Sequence, residues 1–453
     1  MSKKKSKRKK KGRLLRVIRS NAAGIDIGAT KIYVAVPEGC DKEPVRSFET
    51  FTQDLHEAAQ WLKSCGIDTI AMESTGVYWI PLFQVLESYD FELFLVNAGH
   101  VKHAPGRKTD VEDCQWIQYL HSVGLLNRSF RPPQEICAVR SLLRHRNNLI
   151  KASATHIQHM QKSLTQMNLQ IHNVISDITG TTGLAILDAI LAGERDPHKL
   201  AELRDPRIKS DKGTIAKSLE GHYLSEHLFT LKQAIQAYRY YKNMINECDS
   251  EIEKYLNNFD SQIDPEKNPP PKPKSPRKKP TGNEPHFDLR THMYRILGTD
   301  LTQIDGINSM TAWVFFSEVG TDLSKFPSKE KFSKWLALSP NNNITGDKIK
   351  SSKTLMSKNR LAIALRLSAQ SLWKSQSFLG FYYRRMRARQ GPPKAITSTA
   401  HKLARIIYHL VKYRKNFDES VFADEIKLHK KRLETRIRKQ AKMLGFKLVS
   451  ADS

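Results

Sequence analysis

Residues 24–37 read GIDIGATKIYVAVP. Asp26 stands in the middle of a short apolar run, the chain turns back at Gly28, and a second apolar run follows at once, which predicts two short strands joined by a hairpin. A carboxylate inside an apolar strand is costly to bury unless a cation or a partner neutralises it. Further along, RSFETFT (46–52), IDTIAME (67–73) and FELFLVN (91–97) read as three more strands, and helical patterns at about 54–65, 80–89 and 110–123 alternate with the later ones. Strands first and βα units afterwards predict an α/β domain over residues 21–130.

The whole chain has 453 residues, enough for about three domains. Lys and Arg number 74 against 46 Asp and Glu, a formal charge of +28. That excess calls for a polyanionic partner, nucleic acid first and an acidic membrane surface second. No apolar run approaches the ~18 residues of a membrane span, so an integral membrane protein is excluded, and of the two partners nucleic acid, not a membrane, is the one expected. The N-terminus is basic but has no apolar signal-peptide core, and the five cysteines (Cys40, Cys65, Cys114, Cys137, Cys248) form no CxxC pair. A reduced cytoplasmic location is expected, without a zinc site.

Residues 1–20 carry eleven Lys or Arg and no acid, and read as a disordered basic arm. Over 131–260 two helices show apolar positions seven apart: Ile150, Ile157, Leu164, Ile171 and Ile178 with Met160, Met167 and Val174 in the first, and Leu231, Tyr238, Ile245 and Ile252 in the second. With a compact insert at 179–225 between them, they predict an antiparallel coiled-coil arm, the alternative being two ordinary amphipathic helices packed on a domain. Residues 261–287 form a Pro/Lys-rich linker, with eight prolines between 264 and 285. A mainly helical domain over 288–418 and a basic C-terminal helix within 419–453 complete the chain.

Two chemistries compete for Asp26. An Asp-x-Gly strand opens the phosphate-binding hairpin of sugar kinases and actin-like ATPases, and the same hairpin carries the first metal ligand of RNase H-like nucleases. Glu73 ends the strand IDTIAME, and Asp110 and Asp113 lie three apart in GRKTDVEDC, on one face of a helix. Four carboxylates from two strands and one helical turn suit hard, oxygen-seeking Mg²⁺, and two such ions would clamp the attacking and leaving oxygens of phosphoryl transfer. A sugar kinase needs a second Asp-x-Gly turn in its C-terminal half. The only candidate, Asp305-Gly306, has no glycine-rich turn to accompany it.

GIDIGATK, MESTGVYW (72–79), VNAGHVKHAPGRKTDVEDC (96–114) and a C-terminal run from LTQIDGINSMTAWVFFSEVG (301–320) through LALSPNNNITG (336–346) to KLARIIYHLV (402–411) occur in that order. In this order of motifs the chain resembles the transposases of insertion-sequence family 110, the DEDD recombinases associated with bridge RNA. The resemblance implies a RuvC-like, RNase H-fold domain with Asp26, Glu73, Asp110 and Asp113 as a Mg²⁺ site, and a C-terminal transposase domain that supplies a hydroxyl nucleophile. Family members typically carry Ser-Gly after a Leu-x-Pro turn. Here Thr345 precedes Gly346, and Ser351 and Ser352 follow six and seven residues on. Register favours Thr345, whose methyl crowds in-line attack, and leaves the two serines as alternatives.

Two other stretches suggest nucleic-acid contact. Ile304-Asp305-Gly306-Ile307-Asn308 resembles the turn of a helix-hairpin-helix module, or is a plain tight turn. YYRRMRARQGPPK (382–394) interleaves Tyr382 and Tyr383 with Arg384, Arg385, Arg387 and Arg389, as a nucleic-acid groove does, or as an exposed helix face does.

The expected protein is a bacterial, nucleoid-associated, RNA-guided DNA recombinase that excises and inserts its own element through a Mg²⁺-assisted covalent hydroxyl-phosphoryl link. The resemblance implies target and donor DNA, a guide RNA, and homodimers assembling into a tetramer whose domains complete one another's active sites. A junction endonuclease with no covalent step, and a non-cleaving nucleic-acid binder, are the alternatives.

Overall fold

The computed structural model describes residues 16–97, 101, 109–274 and 282–446. Most of the basic arm, residues 98–100 and 102–108 of the block before Asp110, and residues 275–281 of the linker lie outside the described residues. The chain divides into two units, residues 1–131 and 132–453.

The first unit is built on the hairpin. Strands β1 (Ala22–Ile27) and β2 (Lys31–Ala35) pair antiparallel, and Gly28 closes the turn by donating to Lys31 O at 2.9 Å. β3 (Val45–Glu49) extends the meander on the far side of β2, whereas β4 (Thr69–Glu73) and β5 (Glu92–Val96) add to β1 in parallel, giving the order β3-β2-β1-β4-β5. Parallel strands need crossovers. Helix α1 (Thr52–Ser64) precedes β4, α2 (Trp79–Glu87) joins β4 to β5, and α3 (Asp110–Ser122) follows β5.

Alternation of side chains along each strand divides the core into two layers. Ala23, Ile25, Ile27, Ile70, Met72, Leu93 and Leu95 face α1 and α2. Ala71, Phe94 and Val96 face the other way, against Ile117 and Leu120 of α3. Gly24 lies on this second face, where an added Cβ would overlap the backbone of Cys114 and Gln118. A glycine here lets α3 lie directly on β1.

The last described residues of the basic arm do not hang free. Ile18 and Arg19 donate their N–H groups to Ser122 O at 2.8 and 2.9 Å, and the Arg19 guanidinium lies 4.7 Å from the centre of the Phe94 ring.

In the second unit, α4 (Gln134–Gln166) and α8 (Ser225–Asn257) are 33 residues each and pack on one another. Cys248 meets Leu142, Asp249 meets Arg146 and Thr230 meets Ser163, so the pair runs antiparallel. The seven-residue series read from Ile150 to Ile178 does not form one helix. The helix ends at Gln166, and Asn168 takes a left-handed turn (φ 55°), a conformation asparagine tolerates, so Ile171 and Ile178 pack inside the compact segment instead. That segment holds α5 (Thr181–Leu191), α6 (Pro197–Glu202) and α7 (Lys212–Lys217), the last two capped by Asp196 and Asp211.

The linker residues before 275 are also anchored. Its carbonyls are taken up by the helical domain, Arg290 donating to Pro271 O and Gln303 to Lys272 O, while Lys274 pairs with Asp305 at 2.8 Å. Helices α9 (Leu289–Leu297), α10 (Ser309–Val319), α11 (Lys329–Trp335), α12 (Arg360–Ser371), α13 (Phe378–Gln390) and α14 (Pro392–Tyr413) then enclose a core of Trp313, Phe315, Phe316, Phe332, Leu365 and Tyr408. Between α11 and α12 the chain makes a two-stranded ribbon, β6 (Asn343–Thr345) and β7 (Lys348–Ser351). Helix α15 (Ala423–Met443) follows α14.

Candidate functional site

In the first unit, register places the acids. Ile25 is opposite Met72 in the parallel β1–β4 pair, so one residue on Asp26 is level with Glu73, at the C-terminal ends of neighbouring strands and on the face covered by α3. Helix α3 runs against β1 in the opposite direction. Gln118 Nε2 donates to Ala22 O at 3.1 Å, and Cys114 lies over Gly24. One further turn toward the helix start brings Asp110 and Asp113 to the level of Asp26.

The electrostatics agree with this register. Burial first, then the charges of Asp110, Asp113 and Glu73, raise the Asp26 pKa from 3.8 to about 6. The buried Cys114 thiol below it is pushed up to about 12, by burial first and Asp26 second. Thr75 donates its hydroxyl to Glu73 Oε1 at 3.0 Å, and Thr109 caps α3 by accepting from the Glu112 N–H at 3.2 Å. Among the described residues, no three acidic, histidine or cysteine side chains stand close enough together to hold a metal ion. The four acids thus share one edge of the sheet and repel one another across it without converging to coordination distance.

The sequence reading passed over Gly24, yet it determines how closely α3 can bring its two aspartates. Its signal was present, a glycine within an otherwise apolar strand.

The candidate hydroxyls lie in the second unit. Thr345 ends β6 and pairs with Lys348 across a two-residue turn in which Gly346 and Asp347 both take positive φ (53° and 59°), the geometry of a type I′ hairpin. Thr345 is exposed, and so are Ile344 and Ile349 beside it. Ser351 closes β7 and accepts from the Lys353 N–H at 3.4 Å. Ser352 lines a cleft of 1110 Å³ together with Lys353, Arg389, Lys394 and His401. The Ile304–Asn308 stretch is a turn through Gly306 (φ 86°), followed by α10, whose first turn Asn308 caps by accepting from the Thr311 N–H at 2.9 Å.

A three-stranded antiparallel meander extended by two parallel strands, with acids at the ends of the two central strands and on the helix across them, is consistent with an RNase H-like domain, here followed by a mostly helical region. The family model described as "Transposase", for the IS110 DEDD group, matches residues 23–169, and the one described as "Transposase IS116/IS110/IS902 family" matches residues 298–382. Together they cover just over half of the chain, and the chain belongs to the IS110 family of transposases. No curated protein matches it. Among the described residues no helix is long and apolar enough to cross a membrane.

Proposed function

We propose that the protein is an RNA-guided DNA recombinase that cuts and rejoins strands through a covalent protein–DNA link. The observation that carries the reading is the gathering of Asp26, Glu73, Asp110 and Asp113 along one sheet edge in a chain of this family, close enough for three of them to raise the pKa of the fourth. An all-oxygen donor set of neighbouring carboxylates fits a hard divalent cation, and Mg²⁺ is the one proposed. When bound, such an ion supplies charge stabilisation to the phosphoryl oxygens of the scissile link.

The chain's own groups do the rest. The Thr345 hydroxyl attacks phosphorus; the Oγ1–P bond forms as the bond from phosphorus to the 3′-oxygen breaks, and the proton lost by the hydroxyl is balanced by the one the departing 3′-oxygen gains. The 5′-phosphoryl group stays on the protein, so one phosphodiester replaces another and the reverse step can seal a different strand. Ser352 is the second choice of nucleophile, supported by its position in a cleft with three cations. The formal charge of +28 supports binding to DNA and guide RNA.

The test is to incubate the protein with guide RNA, Mg²⁺ and end-labelled target DNA and to look for an adduct that survives denaturation. An adduct is expected. Free nicked product without adduct would replace the recombinase with an endonuclease, and intact DNA would leave a nucleic-acid binder.

A further inference from the structure

Helix α13 and the turn before it form a second cleft, of 760 Å³, lined by Trp373, Phe381, Arg384, Arg385, Arg389 and Arg436 among others. Arg389 also lines the cleft that holds Ser352, so the two hollows adjoin at that side chain. Seven cationic side chains and no carboxylate line the pair. Arg385, Arg389, Arg436, Lys353 and Lys394 form no ion pair among the described residues. A run of cations without acidic partners along two adjoining hollows matches a repeating anion, as a phosphodiester backbone is.

The aromatic groups narrow the choice. Trp373 is 44% exposed, unusual for so large a ring, and it stands in the wall of the cleft. Its position is fixed rather than loose: the Arg387 guanidinium lies 4.0 Å from the ring centre, and Arg384 donates to Trp373 O at 2.9 Å and Ser375 O at 2.6 Å. A preset indole in a cationic cleft offers a stacking surface for a base. Bases of a duplex keep their faces against one another, and only an unpaired strand has faces to give.

We propose that the two clefts form one track for single-stranded nucleic acid, with a base stacked on Trp373 and the backbone passing Arg385, Arg389 and Lys394 toward the Ser352 loop. The track extends the proposed function and does not depend on strand cleavage, so it is tested in EDTA, where its failure is separate from any failure of the chemistry.

The full chain is titrated into dye-labelled oligodeoxythymidylate, oligouridylate and a blunt hairpin duplex, and binding is read by fluorescence anisotropy. Trp373→Ala should weaken binding of the better single strand roughly 5- to 150-fold, with little change for the duplex, and Trp373→Phe should restore most of the loss. The double variant Arg389→Gln/Lys394→Gln, on exposed positions that should not disturb folding, should shallow the single-strand salt slope by roughly 0.7 for each phosphate contact removed. Preference for one of the two single strands identifies the occupant as DNA or RNA, and either supports the track. Equal losses on single strand and duplex in a Trp373→Ala protein that melts like the parent, or an unchanged salt slope in the double variant, would overturn it.

Discussion

Asp26 and Thr345 have similar local settings and different surroundings. Each stands near the end of a short strand, just before a glycine turn: Asp26-Ile27-Gly28 in the first unit and Thr345-Gly346 in the second. Asp26, however, is on the central strand of a five-stranded sheet, with a strand on either side and α3 across its face. Thr345 is on a ribbon of two strands whose residues are almost all exposed. A central strand fixes a side chain by packing on every side, whereas an isolated two-stranded ribbon has little stability of its own. The carboxylates are therefore set by the fold, and the aim of the hairpin hydroxyl depends on what the hairpin meets. The same contrast explains which substitutions should act through chemistry and which through structure.

The largest effect is expected at the preset site. Asp26→Ala should remove both nicking and adduct formation in Mg²⁺ while leaving nucleic-acid binding close to the parent, because the cations proposed to contact phosphate lie elsewhere. Cleavage of end-labelled DNA and anisotropy on the same samples give the two readings. Undiminished cleavage would show that the sheet edge is not the catalytic one.

At the hairpin the effect should be as complete for adduct formation but sensitive to the side chain chosen. Thr345→Val keeps the shape and removes the hydroxyl, so adduct should vanish; Thr345→Ser keeps the hydroxyl and removes the crowding methyl, so activity should hold or rise. Adduct that persists in Thr345→Val and disappears in Ser352→Ala would move the nucleophile from the hairpin tip to the cleft, reversing the contrast drawn above.

Gly24 sharpens the first half of the comparison. Any β-carbon there would strike α3 backbone at Cys114 and Gln118, and backbone cannot swing aside as a flexible side chain can. Gly24→Ala should cost the first unit about 1–3 kcal/mol, read as a lower urea midpoint, and should depress cleavage further by moving Asp110 and Asp113 away from Asp26. Loss of stability with full cleavage would mean that the four acids tolerate a shifted α3.

The strands around Asp26 were legible because each is short, apolar and bounded by turn residues, and the alternation of βα units left few topologies open. That Asp110 and Asp113 belong with Asp26 and Glu73 was legible from residue type and spacing and from the family pattern; the physical cause, α3 resting on a glycine, was not, since it depends on a contact between residues ninety or more apart in the chain. Periodicity misled at the end of α4, where Ile171 and Ile178 continue the seven-residue spacing after Asn168 has turned the chain. Apolar spacing reports which residues are buried but not that one helix carries them. The linker is the opposite case, since proline-rich chain buries little of itself yet its carbonyls accept hydrogen bonds from Arg290 and Gln303. Trp373 was invisible beside the Tyr-Arg run, because an exposed tryptophan reads as ordinary core in sequence.

The smallest effect concerns the far end of α3, away from the acids, and depends on pH. The His121 ring is buried against Phe94, with centres 4.6 Å apart, and burial first, then the Arg19 charge, lower its pKa from 6.5 to about 4. Thr69 donates its hydroxyl to Glu92 O at 3.0 Å, so at 2.9 Å from Nε2 it accepts, and His121 carries its proton on Nε2. Nδ1 is buried without a partner among the described residues, and a second proton would have to enter there. The unfolded chain takes that proton near pH 6.5 and the folded one only near 4, so the unfolded state binds more protons between those values. Stability from the neutral ring is therefore whole above about pH 6.5 and is lost as pH falls toward 4. His121→Gln keeps a donor toward Thr69 and does not titrate. On going from about pH 7 to about pH 5, the urea midpoint of the first unit should fall further in the parent than in His121→Gln. Parallel losses in the two proteins would mean that the folded ring accepts its proton as readily as the unfolded one, and that this end of α3 is less tightly held than the end that carries the aspartates.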